Sequence, residues 1–483
     1  MKNKNLFKVL GITLLVVVLL TWLLPVGQYS GSGLEYADRA QVGLMELIKY
    51  PITTFSIFIN IAVLLLVIGG FYGIVNKTGV YKSFLDGIVK KFKGKEQTFL
   101  IVVMVVFALL SALTGLTLPL FLLLPMIVSL LLLMGYDKLV ALAATIGSIV
   151  MGMIGSVYGY FISGLVATNF NLKVHYAMIN RIALLVVVLG LFMFFVLKYA
   201  RKVKKDKKES ILEEQGEDAL LMDTNKAKKS TTPFVVIFVI LLLLVFIGMF
   251  PWNLVFGTKL FTDLHTAITS VNIGNFAVFS TILGNTSAFG AWAVDANGTA
   301  NQLEGFVPII LLLIIAGLII GWIYSVKGKD MFEGFVEGMK KMIAPAVIAV
   351  LVNVILVITV YHPFYLAIVK FLLGLTKGFN FISMTVLAAI GSFLNVDMLY
   401  LAQNTIPFIT QAITKSTMYP IMAMIFQSIY GLVMLVAPTS VMLMAGLAYM
   451  EVPYTKWLKF IWKVLLQILI AVIIIILISM LFV

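Results

Sequence analysis

The sequence predicts an all-α polytopic membrane protein, with about nine transmembrane helices and two re-entrant hairpins arranged as two inverted repeats. Three observations carry this. Of 483 residues, 61% are hydrophobic and 12% charged, whereas a soluble domain is about half apolar and a quarter charged. Apolar runs of about twenty residues, enough to cross the hydrocarbon core as helix, recur from end to end. The second half of the chain also echoes the order of features in the first.

The same composition narrows function. There is no cysteine, so thiolate metal sites, disulfides and cysteine nucleophiles are excluded. His175, His265 and His362 are widely separated and make no metal-ligand spacing. The net charge of +14 sits in short loops beside apolar spans, which is the positive-inside pattern rather than a nucleic-acid face. Arginine occurs only at Arg39, Arg181 and Arg201. No constellation of His, Asp, Glu and Cys points to an enzyme, and no cofactor is implied.

Span 1 runs from about Leu6 to Leu24. It ends in Leu23-Leu24-Pro25 without a small-residue cleavage site, so it reads as a retained helix. Residues 42–50 form a short amphipathic piece before span 2 (about 52–75). Residues 76–97 carry six lysines and apolar positions Tyr81, Phe84, Leu85, Ile88 and Phe92 at helical spacing, as expected of a surface helix. The apolar stretch of about 98–134 is interrupted by Thr114-Gly115-Leu116-Thr117-Leu118-Pro119, and its short arms suit a re-entrant hairpin. Asp137 caps a helix over 138–161, in which Gly152, Gly155, Ser156 and Gly159 signal close packing or local unwinding. A span over about 182–197 completes a first repeat, 1–198.

Residues 199–232 are rich in Lys, Glu and Asp and read as a flexible cytoplasmic linker. A linking span (about 234–250) and a mildly polar extracellular segment fill 233–305. Asn285-Thr286-Ser287 and Asn297-Gly298-Thr299 match the glycosylation pattern and are read as chance. The second repeat, 306–483, has a span at about 307–324, a basic amphipathic piece at 327–342 and a span at about 343–361 with Asn353. His362-Pro363 ends that span, and a surface helix follows. A second hairpin occupies about 381–413, interrupted from Asn395-Val396-Asp397 through Gln403-Asn404-Thr405-Ile406-Pro407. A second broken helix covers 418–446, an amphipathic piece 451–459, and a final span begins at about Phe460.

The second broken helix contains Ala437-Pro438-Thr439-Ser440. Proline removes one N–H and displaces the residues before it from helical geometry. Backbone groups freed at membrane depth need partners, so such a break is tolerated inside protein or beside a polar cavity. The alternative is a packed kink whose hydroxyls bond back to the helix. The halves match in order: Thr117-Leu118-Pro119 parallels Thr405-Ile406-Pro407, Ser148-Ile149 parallels Ser428-Ile429, and Gly164-Leu165 parallels Gly446-Leu447. The odd linking span inverts the second half. With the N-terminus inside, most of the 35 lysines and arginines fall on the cytoplasmic side. Paired hairpins and paired broken helices in inverted repeats are the arrangement of alternating-access transporters.

Several stretches resemble the YfcC-type family, related to the anaerobic C4-dicarboxylate carriers within the ion-transporter superfamily. They are Gln41-Val42-Gly43-Leu44-Met45-Glu46-Leu47, Gly69-Gly70-Phe71-Tyr72-Gly73-Ile74-Val75-Asn76-Lys77-Thr78-Gly79, Gly135-Tyr136-Asp137, Ala437-Pro438-Thr439-Ser440-Val441-Met442-Leu443-Met444 and Val452-Pro453-Tyr454-Thr455-Lys456-Trp457-Leu458-Lys459. The resemblance implies a secondary carrier of dicarboxylates or basic amino acids in the plasma membrane, as a homodimer with a scaffold and a moving transport part. The chain departs from that pattern at the expected site. Gly115-Leu116 stands where the family has two acidic residues, and Gly155-Ser156-Val157-Tyr158-Gly159-Tyr160 stands where it has a Gly-Ser-Thr-x-Asn-Pro turn. Losing the acidic pair weakens a basic amino acid as cargo.

The residues expected to meet a small organic anion or amino acid are Thr114, Gly115, Thr117, Gln403, Asn404 and Thr405 from the hairpins, with Ser156, Thr439 and Ser440 from the broken helices. Asp397 and Asn395 are the candidates for Na+ or H+ coupling, since an intramembrane carboxylate is costly. Two other readings stay open: a passive channel, which needs a continuous polar stripe, and a degenerate family member serving assembly or regulation.

Overall fold

A computed structural model of the chain describes residues 3–30, 33–36, 41–212, 229–274, 276–283, 287–292, 302–375, 380–395, 397–413 and 415–481. The middle of the linker, Asn285 and Asn297 lie outside them. Among the described residues the structure is helical apart from two short antiparallel pairs, Gly27–Ser30 with Gly33–Tyr36 and Asn272–Ile273 with Phe276–Ala277. Nine helices among them are long and apolar enough to cross a bilayer.

The first half begins with α1 (Lys4–Leu23), α2 (Leu44–Lys77), α3 (Val80–Lys91) and α4 (Glu96–Thr114). A 3₁₀ segment, Leu118–Leu123, leads into α5 (Leu124–Leu133) and completes the first hairpin. The first broken helix is α6 (Lys138–Leu142), a π turn, α7 (Ser148–Ile154), a non-helical stretch at 155–159, a second π turn and α8 (Leu165–Asn169). It therefore extends eight residues past the expected end at 161, because the apolar run resumes helically after Gly159 and stops only at Asn169. α9 (Met178–Lys205) returns.

Between the halves lie α10 (Thr232–Met249), α11 (Trp252–Phe256), α12 (Leu260–Thr269) and α13 (Val278–Leu283). The second half has α14 (Gln302–Ile323), α15 (Gly328–Leu351), α16 (Val354–Tyr361) and α17 (Tyr365–Gly374). The hairpin α18 (Phe381–Leu394) and α19 (Met398–Ala412) follows, then the broken pair α20 (Tyr419–Met434) and α21 (Val441–Met450), and α22 (Tyr454–Met480).

Three pieces read as amphipathic and separate from the spans are continuous with neighbouring spans. Residues 44–50 run into α2, 328–342 into the rest of α15, and 454–459 into α22. A change from amphipathic to apolar pattern does not itself end a helix; that takes a cap or a lost hydrogen bond. Pro51 lies inside α2, and the Thr54 hydroxyl donates to the Tyr50 carbonyl at 2.7 Å beside it.

The chain forms two compact units. The smaller comprises 63–86 and 221–342. There α10 packs on α14. The end of α2 meets the start of α15 where Gly69 and Gly73 lie against the backbone of Gly338 and Gly334, a small-residue crossing that lets two main chains touch. Lys77 and Glu337 pair at 2.9 Å.

The larger unit comprises 1–62, 87–220 and 343–483, and it holds both hairpins and both broken helices. Equivalent elements make equivalent contacts: α4 packs on α7 as α18 packs on α20, α9 lies along α22, and α7 crosses α20. Asp137 caps α6 as expected, accepting from Val140 N–H at 2.8 Å. Its other oxygen accepts from Tyr199 at 2.7 Å and Ser210 at 2.6 Å. His362 ends α16, its Nε2 2.6 Å from the Tyr50 hydroxyl. Asn353, between α15 and α16, donates back to the Ala349 carbonyl of α15 at 2.8 Å.

Candidate functional site

The first hairpin turns where the sequence places it. Gly115 has φ 72, a left-handed conformation costly for residues with a Cβ. A Cβ there would also stand 3.0 Å from the main-chain carbon of Gly159, so the tip lies directly against the first helix break. Thr114 donates back to the Leu110 carbonyl and accepts from Leu116 N–H at 3.0 Å. Thr117 is half-buried.

The main chain of the first break is largely satisfied from within. The N–H groups of Val157, Tyr158 and Gly159 converge on the Ala112 carbonyl at 2.8, 3.2 and 3.2 Å. Those are donors a helix start would otherwise offer to an anion. Ser156 Oγ donates to Ser163 at 3.3 Å. The freed carbonyls are taken by distant side chains. Gln427 Nε2 donates to Ile154 at 3.1 Å and to Ser156 at 3.0 Å, Ser428 donates to Ile154 at 3.4 Å, and Arg181 Nη1 donates to Ser156 at 3.1 Å. Tyr176 fixes the Gln427 amide by donating to its Oε1 at 3.0 Å. Burial pushes the Tyr176 phenol up to about 12, so it stays a donor at neutral pH.

The second break is built alike. Trp457 Nε1 donates to the Leu435 carbonyl at 2.9 Å, and the Tyr454 hydroxyl donates to Val436. Ser440 caps α21, accepting from Leu443 N–H at 3.4 Å. Thr439 is buried and its hydroxyl has no hydrogen-bond partner.

The second hairpin turns between α18 and α19, at the start of the expected interruption, while Gln403-Asn404-Thr405 lie within α19. Asp397 caps α19, accepting from Tyr400 N–H at 2.8 Å, and this starts the helix early. Gln403 is then on an exposed face of α19. Asn404 bonds back to the Tyr400 carbonyl at 2.8 Å. Thr405 is buried and donates to Tyr365 at 3.2 Å. Asn395 accepts from Thr359 at 3.0 Å, while its Nδ2 has no partner.

The contacts thus gather Gly115, Ser156, Gln427, Tyr176 and Arg181 around the first break. Asn395, Asp397 and Thr405 lie with Thr359, Tyr365 and Tyr400, and Thr439 and Ser440 lie at the second break. Among the described residues, buried side-chain atoms without a hydrogen-bond partner include one near each interruption: Ser111 Oγ in α4 shortly before the first hairpin turns, Arg181 Nε at the first break, Asn395 Nδ2 at the second hairpin tip and Thr439 Oγ1 at the second break. Buried polar atoms are normally paired, so each exception calls for an explanation, of which a functional role is one. Asn5 Oδ1, on α1 and away from the interruptions, is another. Sequence reasoning missed Arg181 and Gln427. The signals were an arginine in a chain whose basic residues are nearly all lysine, and an amide inside an apolar run. Among the described residues no group of His, Asp and Glu could hold a metal ion.

Residues 4–481 match the family model described as DcuC, C4-dicarboxylate anaerobic carrier. No curated protein matches the chain. Among solved structures, the YdaH transporter of Alcanivorax borkumensis is similar over 98% of both chains, at 13% identity and TM-score 0.40.

Proposed function

Since the chain belongs to the C4-dicarboxylate anaerobic carrier family, and is therefore a multi-pass membrane transporter of the carrier type, we propose that it moves a small organic anion by alternating access. The favoured class is a compact dicarboxylate, with an acidic amino acid next. The observation that carries this reading is the set of buried side-chain atoms without partners, one near each of the four interruptions. Buried polar atoms with no hydrogen-bond partner among the described residues are suited to a solute that comes and goes. Ser156, Thr405 and Ser440 would supply further polar contacts, with Thr114, Gly115 and Thr117 shaping the first tip. Asp397 and Asn395 are the proposed coupling position for Na+ or H+. The lysine-rich loops support a plasma-membrane orientation with the N-terminus and linker cytoplasmic, and the family reading favours a homodimer.

Uptake of radiolabelled succinate into proteoliposomes, with imposed Na+ or proton gradients, tests the proposal. Saturable uptake that responds to one gradient is the expected result. Non-saturable flux shared by unrelated small solutes supports a passive pore, and absence of flux for dicarboxylates and amino acids supports a non-transporting role.

A further inference from the structure

Arg181 is 0% exposed and lies in the first turn of α9. Its guanidinium sits over the Tyr176 ring, 4.1 Å from the centroid. Nη1 donates to the Ser156 carbonyl at 3.1 Å, and Nη2 donates to the Val174 carbonyl. Nε has no partner. The carbonyls and the ring are dipoles and a quadrupole, and none carries a compensating charge. Among the described residues no carboxylate pairs with Arg181, whereas the other buried basic side chain of this kind, Lys138, faces Glu451 at 3.9 Å. Burying an unpaired charge is among the most expensive things a fold can do. The positive end of α9 adds to the same sign rather than offsetting it.

We propose that Arg181 is the carboxylate contact of the transported anion, and that it sets the preference for a carboxylate over an uncharged carboxamide at that end of the solute. This rests on the anion-carrier reading above. Nε–H is free, and Nη2 on the same edge donates to the Val174 carbonyl; an arriving carboxylate that takes the place of this carbonyl meets both donors side-on, the geometry that takes both its oxygens. Nη1 holds the first break through the Ser156 carbonyl, so carboxylate binding and the arrangement of the broken helix act through one side chain. The ring of Tyr176 fixes the plane of the guanidinium, and the Tyr176 hydroxyl fixes Gln427 on the same Ser156 carbonyl. In the conformation described the guanidinium is closed off from solvent, so the anion reaches it when the elements around the break part.

Succinate, its monoamide succinamate and its diamide succinamide are nearly equal in size and carry two, one and no carboxylates. Binding of each to the detergent-purified protein is measured by thermal stabilisation, and uptake of each is measured in proteoliposomes. Wild type is expected to prefer succinamate over succinamide by at least about ten-fold, the size of one charge-assisted hydrogen bond. Arg181→Gln is expected to bring these two ligands within about two-fold, and Arg181→Lys, which keeps the charge without the fork, to give an intermediate ratio. A merely structural arginine lowers both ligands together and leaves the ratio intact, and that result overturns the proposal. If Arg181→Gln does not fold, Arg181→Lys decides, and an unchanged ratio there overturns it equally. Succinate binding that depends on Arg181 without any wild-type uptake contradicts the carrier reading while leaving the contact standing.

Discussion

The side-chain amide of Gln427 donates to the main-chain carbonyl of Ser156 at 3.0 Å, joining the second broken helix to the gap in the first. The same nitrogen reaches the Ile154 carbonyl at 3.1 Å. Gln427→Leu keeps the apolar volume and strands these acceptors, together with the Tyr176 hydroxyl. The expected cost is about 1–3 kcal/mol, read as a lower unfolding temperature in detergent. Gln427→Glu sets a carboxylate against two carbonyl oxygens and is expected to cost more. Unchanged stability in both variants contradicts this role.

Gly152 lies where α7 crosses α4, and a Cβ there would overlap the Ala108 carbonyl oxygen. Gly152→Ala must push two backbones apart and is expected to destabilise by about 1–3 kcal/mol. Gly190, on the exposed face of α9, has open space at its Cβ position, so Gly190→Ala is expected to stabilise by up to about 1 kcal/mol through helix propensity. Opposite shifts in melting temperature check the pair.

Asp137 ties the start of the linker to the first broken helix, accepting from Tyr199 and from Ser210. The Tyr199 hydroxyl in turn accepts from Ile211 N–H at 3.1 Å. Ser210→Ala removes one strand of this latch, and Asp137→Asn weakens both. Limited trypsin digestion is expected to cut among Lys202–Lys208 several-fold faster in both variants. Equal rates mean the latch does not hold that segment.

What the sequence reveals here is what is local. Pro438 dictates a break, Asp137 a cap, and Thr114-Gly115 a turn, because each acts through bonds to its own neighbours. The satisfaction of the breaks was hidden because it is distant. The Ser156 carbonyl is met by Gln427, 271 residues away, and Leu435 by Trp457 from the next span. Side chains thus fill much of the need of the freed main chain, and the buried atoms left over near the interruptions include those of Ser111, Arg181, Asn395 and Thr439. Gln403 and Asn404 were misplaced for a related reason. Their polarity suggested a tip, but the cap at Asp397 had already started the helix that carries them.

Thr439 offers the most direct measurement of the claim that those leftover atoms meet the cargo. Its hydroxyl bonds to nothing within the protein, so Thr439→Val removes the oxygen at nearly constant shape and costs no internal hydrogen bond. Ser440→Ala, by contrast, removes a helix cap worth about 1 kcal/mol, so it is the less clean probe. Succinate uptake and melting temperature are measured on the same Thr439→Val preparation. The account predicts an unchanged melting temperature with uptake reduced at least about ten-fold, the loss of one hydrogen bond to a charged solute. Full uptake at wild-type affinity would contradict it.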